Sequence, residues 1–181
     1  NPHLAGLQTT FTAENWDGRL TVRSALDGTV ENTGVARYRS LAHRHLEPVT
    51  GWEIDHETIA LEVQTNQSAI AVAMAARTRV LSVGGPVAHD RRVVDSPGFI
   101  AHDLVLDITE GTPVTVDKIV TVSSSRDQAI STPALATETL IEVAPSFDDL
   151  LTEHILAWEH LWTRFRLETG ADDETGLAIN L

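Results

Sequence analysis

HDLVLDITEGTPVTVDKIVTV, His102 to Val122, decides the fold class. His102, Leu104, Leu106 and Ile108 alternate with Asp103, Val105 and Asp107, the period-two pattern of a strand with one face in a core. Glu110-Gly111-Thr112-Pro113 breaks the run, and Val114, Val116, Val120 and Val122 form a second strand set. Upstream the pattern recurs. Leu20 and Val22 alternate with Arg19, Thr21 and Arg23, and Ile59, Leu61 and Val63 lead into a polar turn at Thr65-Asn66-Gln67. Ile70, Val72 and Met74 stand between alanines, which predicts a strand buried on both faces. Gly84-Gly85-Pro86 and Ser96-Pro97-Gly98 are turn signals. Strands at this spacing predict a mainly β fold, an antiparallel β-sandwich over residues 1–125.

Beyond Ser125 the period changes. Pro133 to Val143 predicts a short helix, and FDDLLTEHILAWEHLWTRF, Phe147 to Phe165, a long one. Phe147, Leu150, Leu151, His154, Ile155, Trp158, Leu161, Trp162 and Phe165 recur every three or four residues on one helical face. Ser146 stands where a cap is needed, with Asp149 three residues on. Strands followed by helices predict a sheet with a helical appendage over 126–170, not alternating βα units. A face with two Trp and two Phe needs a large apolar partner.

Composition narrows the function classes. The 181 residues, 42% hydrophobic, suffice for one domain with a sizeable core. Mean hydropathy is −0.06, and no apolar run approaches the length of a membrane span, so no membrane partner is expected. Asp and Glu number 26 against 13 Lys and Arg, a formal charge of −13 that argues against phosphate-backbone binding and nucleic acid. The absence of Cys excludes disulfides and thiolate metal sites, and a cytoplasmic location is expected. The chain starts at Asn1 without Met or a signal peptide, so a piece of a longer protein is expected.

Few residues advertise chemistry. His43, His45 and Glu47 would share one face of a strand and are of metal-ligand type, but the spacing fits no standard sandwich metal motif. No metal site is expected. His89-Asp90 beside Arg91-Arg92 could pair a proton-transfer group with an anion clamp, yet after Gly-Gly-Pro the plainer reading is an exposed loop. His154 and His160 lie on the long helix, His154 on its apolar face as a core residue. Ser123-Ser124-Ser125 lacks the strand–turn–helix setting of a catalytic serine, and Gly84-Gly85 lacks that of a phosphate loop. Trp16 and Trp52 could stack on sugar rings if exposed, whereas Phe147, Trp158 and Trp162 are expected in interdomain packing.

WDGRLTVRSALDGTVENTGVARYRSLAHRHLEPV, Trp16 to Val49, resembles the N-terminal β-sandwich of glycoside hydrolase family 65. The resemblance rests on Val22-Arg23-Ser24-Ala25-Leu26-Asp27-Gly28, Val30-Glu31-Asn32 and His45-Leu46. Thr65 to Ala75 is similar to a central strand of that sandwich, and Phe147 to Trp162 to its linker helix. Gly170-Ala171-Asp172 and Leu177 to Leu181 resemble the start of its first barrel helix, which makes 171–181 the beginning of a helical-barrel domain. The resemblance spans nearly the whole chain.

It implies a portion of a galactose-mutarotase-like super-sandwich followed by linker helices. It also implies a parent enzyme that is an inverting phosphorylase or hydrolase of trehalose, maltose or kojibiose. The family's general acid and phosphate-binding residues lie in the helical barrel, so no catalytic residue is expected at any position here. No cofactor is implied, although inorganic phosphate would be a co-substrate of a phosphorylase. The implied partners are the remainder of the same protein, with upstream sandwich strands and the barrel, an α-glucoside disaccharide, and a second copy in a homodimer. A stand-alone carbohydrate-binding or assembly module is the alternative.

Overall fold

A computed structural model describes residues 1–32, 34 and 43–165. The predicted barrel start at 171–181 lies outside the described residues. The chain forms two compact units, Asn1–Phe147 and Asp148–Leu181.

The first unit is a sandwich of antiparallel sheets. The strands are β1 (Leu4–Phe11), β2 (Gly18–Asp27), β3 (Leu46–Asp55), β4 (Thr58–Thr65), β5 (Ala71–Ser82), β6 (Gly85–Pro86), β7 (Asp90–Ser96), β8 (Phe99–Ile108) and β9 (Val114–Ser124). The larger sheet has the order β1-β9-β5-β4-β3, with β6 paired to the end of β5, and the smaller has the order β2-β8-β7. Turn chemistry fixes the registers. Ser96 pairs with Phe99 around Pro97-Gly98, where Gly98 takes φ 79°, a conformation that L side chains avoid.

Helix α1 (Pro133–Glu142) lies on the outer face of β5 and β9. Thr137 Oγ1 donates to the Ala73 carbonyl at 3.2 Å, and Thr121 Oγ1 donates to the Thr137 carbonyl at 3.1 Å. Ala73 and Ala75 are fully buried there, and their small side chains let the helix backbone come close. This is why β5 is buried on both faces, as its alternating alanines predict.

Between the sheets the apolar residues form two clusters. One gathers Val80, Leu104, Leu106, Ile108, Val114 and Val116; the other gathers Leu26, Ile59, Leu61, Val63, Ala76 and Ile100. A polar layer separates them. Where β2, β5, β8 and β9 cross the middle of the sandwich, the inward residues are Ser24, Thr78, His102 and Lys118. Ser24 Oγ and Thr78 Oγ1 lie 2.8 Å apart across the two sheets. Lys118 Nζ donates to the Ala25 carbonyl at 2.6 Å, and burial lowers the pKa of its ammonium.

Helix α2 (Phe147–Phe165), which lies in the second unit from Asp148 on, carries an aromatic row. Trp158 and Trp162 stack with centroids 5.9 Å apart, and His154 lies edge-on to Trp158 at 6.0 Å. The two indoles are 45% and 49% exposed. Where a core histidine is expected, His154 is an exposed residue.

Candidate functional site

Among the sequence candidates, Trp52 leads to a cleft. It sits on β3, half-buried, and its Nε1–H donates to Glu138 Oε1 on α1 at 2.8 Å. Glu138 lines a cleft of ≈ 510 Å³ between α1 and the β3–β4 turn. Asp55 and Glu57 line the turn side, Arg77 and Arg79 the β5 side, and Leu135, Glu138 and Glu142 the helix side. Arg79 Nε meets Glu57 Oε2 at 2.7 Å.

Arg77 is committed to the fold. It donates to the Ile141 carbonyl at 3.0 Å, the Ala144 carbonyl at 2.9 Å and the Pro145 carbonyl at 3.3 Å. It thereby satisfies carbonyls that a helix C-terminus leaves open. Burial, then the neighbouring Arg79, lowers its pKa. The cleft therefore presents carboxylates and one ion-paired arginine, a surface able to hydrogen-bond hydroxyl-rich or cationic groups.

Trp16 is 42% exposed in the β1–β2 connection, its ring set against Gly18, where an added Cβ would lie 3.4 Å from the ring. The structure does not bring Trp16 and Trp52 into a common site: Trp52 has its polar atom engaged by α1, and Trp16 does not line the cleft. Phe147 is half-buried over Gly6 of β1, where a Cβ would meet its ring at 3.0 Å.

Among the histidine candidates, His43 shares the Glu31 carboxylate with Arg44. Arg44 Nε donates to Glu31 Oε1 at 2.7 Å, and His43 Nε2 lies 3.5 Å from Glu31 Oε2. The Glu31 carboxyl is held below the usual carboxylate range, chiefly by the Arg44 hydrogen bond. Among the described residues, no three His, Asp or Glu side chains converge as metal ligands would.

The stretch His89–Arg92 corrects the expected exposed loop, because Asp90–Ser96 is strand β7. Arg91 points between the sheets and donates to three elements. Its Nη1 meets His102 Nδ1 at 2.9 Å, and its Nη2 meets the Thr78 carbonyl at 2.7 Å and His89 Nε2 at 3.2 Å. His102 is fully buried, and its pKa is lowered to about 4, first by burial and then by Arg91. Arg91 stands out in the sequence as half of a possible anion clamp and Arg77 not at all; their strand neighbours reveal the roles they actually take. His102 carried a signal, as the one polar member of an otherwise apolar alternating row.

Two antiparallel sheets closed on one face by a helix, with further helix after it, define a β-sandwich domain. The match to "Glycosyl hydrolase family 65, N-terminal domain" runs over residues 1–161, and the chain belongs to that family. An uncharacterized glycosyl hydrolase of Mycobacterium tuberculosis is 36% identical over 177 residues, which are 97% of this chain and 13% of that protein. The kojibiose phosphorylase of Halothermothrix orenii is 22% identical over 188 residues, 99% of this chain and 23% of the enzyme. A solved structure of a human-microbiome protein assigned as a kojibiose phosphorylase superposes with a TM-score of 0.72 at 17% identity, covering 88% of this chain and 20% of that one. The chain thus spans 13% and 23% of the length of these two curated relatives.

Proposed function

We propose that this chain is a scaffold portion of an inverting α-glucoside phosphorylase or hydrolase and supplies no catalytic residue itself. The family match over residues 1–161 carries the reading. Kojibiose is the leading substrate candidate, because the named relatives at 22–25% identity are kojibiose phosphorylases; trehalose and maltose follow. In the inverting reaction a protonated carboxyl assists departure of one sugar, and phosphate or activated water attacks the opposite face of the other. The partners in this reading are the rest of the polypeptide, the disaccharide, phosphate as co-substrate, and a second copy of the chain. No described helix is long and apolar enough to cross a membrane.

The test is phosphorolysis and hydrolysis of kojibiose, trehalose and maltose by the intact polypeptide that carries this chain. Release of β-glucose 1-phosphate or β-glucose supports the reading. Inertness toward all three α-glucosides rejects it.

The exposed ring of Trp16 favours a second reading, a sugar-binding module. Titrating glucose oligomers against the intact protein and its Trp16→Ala and Trp52→Ala forms separates the two. Binding lost in either variant supports the module, and unchanged binding supports the scaffold.

A further inference from the structure

We infer that Arg91, clamped between His89 and His102, is an acid-sensitive latch that fastens the edge strand β7 to the central strand of the opposite sheet. The argument starts from the Thr78 carbonyl. Pairing of β4 with β5 ends at Thr58 and Arg77, and one residue on, the Thr78 N–H reaches back to the Glu57 carbonyl. The Thr78 carbonyl lies beyond the end of β4, and Arg91 Nη2 supplies its donor from the other sheet. Among the described residues β7 pairs with β8 alone, so this cross-sheet contact is a principal tie for an edge element.

In the latch both imidazoles accept from Arg91. Arg91 keeps its proton, so His102 Nδ1 and His89 Nε2 must each offer a lone pair. The tautomers follow: His89 carries its proton on Nδ1, which donates to the Val87 carbonyl at 2.8 Å, and His102 carries its proton on Nε2. That Nε2 and Arg91 Nε are buried with no hydrogen-bond partner among the described residues. The cluster is already short of acceptors, and a second positive charge 2.9 Å from the guanidinium would have none to meet it.

The charged and titratable groups facing His102 are Arg91 of β7, His89 before it, and Asp55 and His56 of the β3–β4 turn. Lys118 of β9 shares the layer, and Asp55, Glu57 and Glu53 bear on Arg91. None of these carboxylates makes a described hydrogen bond or ion pair with Arg91 or His102. The closed form holds His102 at about 4, below its ordinary 6.5, so it binds fewer protons than an opened form. The latch is at full strength above pH 6.5 and weakens as the pH falls toward 4.

Hydrogen exchange of the intact protein, corrected for intrinsic rates, reads the latch directly. From pH 7 to pH 5 the opening equilibrium of Asp90–Ser96 is expected to rise about twenty-fold, with Thr58–Thr65 unchanged. His102→Gln cannot gain the proton and is expected to flatten most of that rise. A pH-independent β7, simultaneous loss of protection in β4 and β7, or a His102→Gln protein that still opens on acidification overturns the inference. If the variant does not fold, histidine ring NMR of the wild type decides. A His102 ring that takes up its proton while β7 remains protected refutes the latch, and a ring that stays neutral until β7 opens supports it.

Discussion

Replacing Gly28 with alanine tests how closely the strand ends are fitted around Leu61 and Val63. Gly28 follows β2, and its N–H donates to the Gly98 carbonyl at 2.8 Å. A Cβ there would lie 2.4 Å from Val63 Cγ1, 3.2 Å from the Gly98 carbonyl oxygen and 3.4 Å from Leu61 Cδ2. Carbon atoms in contact prefer about 3.5–4.0 Å, so the new methyl overlaps Val63 by roughly 1 Å. Val63 is 1% exposed and Leu61 fully buried, so neither side chain has open space to retreat into. The hydrogen bond to Gly98 resists movement of the backbone.

Overpacking of this kind costs about 1–3 kcal/mol, and the severity of the overlap places Gly28→Ala near the top of that range. Loss of glycine's freedom in the unfolded chain offsets roughly 0.5 kcal/mol of it. The expected outcome is a fall in the urea midpoint at unchanged slope, equivalent to about 2 kcal/mol. Val63→Ala alone leaves a cavity and destabilises by about 2 kcal/mol. In the double variant the new methyl occupies that space, so the losses fall short of additivity by roughly 1–2 kcal/mol. A Gly28→Ala protein with a wild-type midpoint, or strictly additive losses in the double variant, would refute the reasoning.

Arg77→Lys should destabilise by roughly 1–2 kcal/mol, because a single ammonium cannot reproduce the planar fork that meets three carbonyls. Hydrogen exchange should show the loss concentrated in α1 with β8 unaffected, and uniform protection would contradict it. Trp52→Phe keeps an aromatic ring, though a smaller one, but removes the donor to Glu138, and a loss of about 1 kcal/mol in thermal or urea unfolding is expected. Arg23 donates to both oxygens of Asp103 at 2.6 and 2.8 Å and holds that carboxyl below its ordinary 3.8. The stabilisation is present above pH 3.8 and fades as the pH falls through the lowered folded value. Asp103→Asn should lose that acid-side dependence in a pH series of unfolding midpoints.

The strands legible in the sequence are those with a face in the core. β4, β5, β8 and β9 are predicted by alternation, and β2 by Leu20 and Val22. The strands that sequence reasoning passes over, β1, β3 and β7, are sheet edges, and β6 is a two-residue bridge. An edge strand owes its place to one neighbour's backbone, so its side chains need not alternate: β1 is exposed at every position between Leu4 and Phe11. Irregular register also hides β3, which slips near Pro48 and again near Asp55. The cleft is invisible for another reason. Its residues come from a turn at 54–58, a strand at 77–79 and a helix at 135–142, and their meeting depends on α1 lying across β5. The aromatic row of α2 is legible in full, because a helical period needs no partner strand to be seen.

The bar of Ser24, Thr78, His102, Arg91 and Lys118 divides the interior into two compartments that share little side-chain surface. Substitutions at Leu106 and at Leu61, on opposite sides of it, should have effects that simply sum. Each compartment can then accumulate changes in volume without forcing the other to repack, so the two ends of the sandwich are free to diverge at different rates while the hydrogen-bonded bar keeps their sheets aligned.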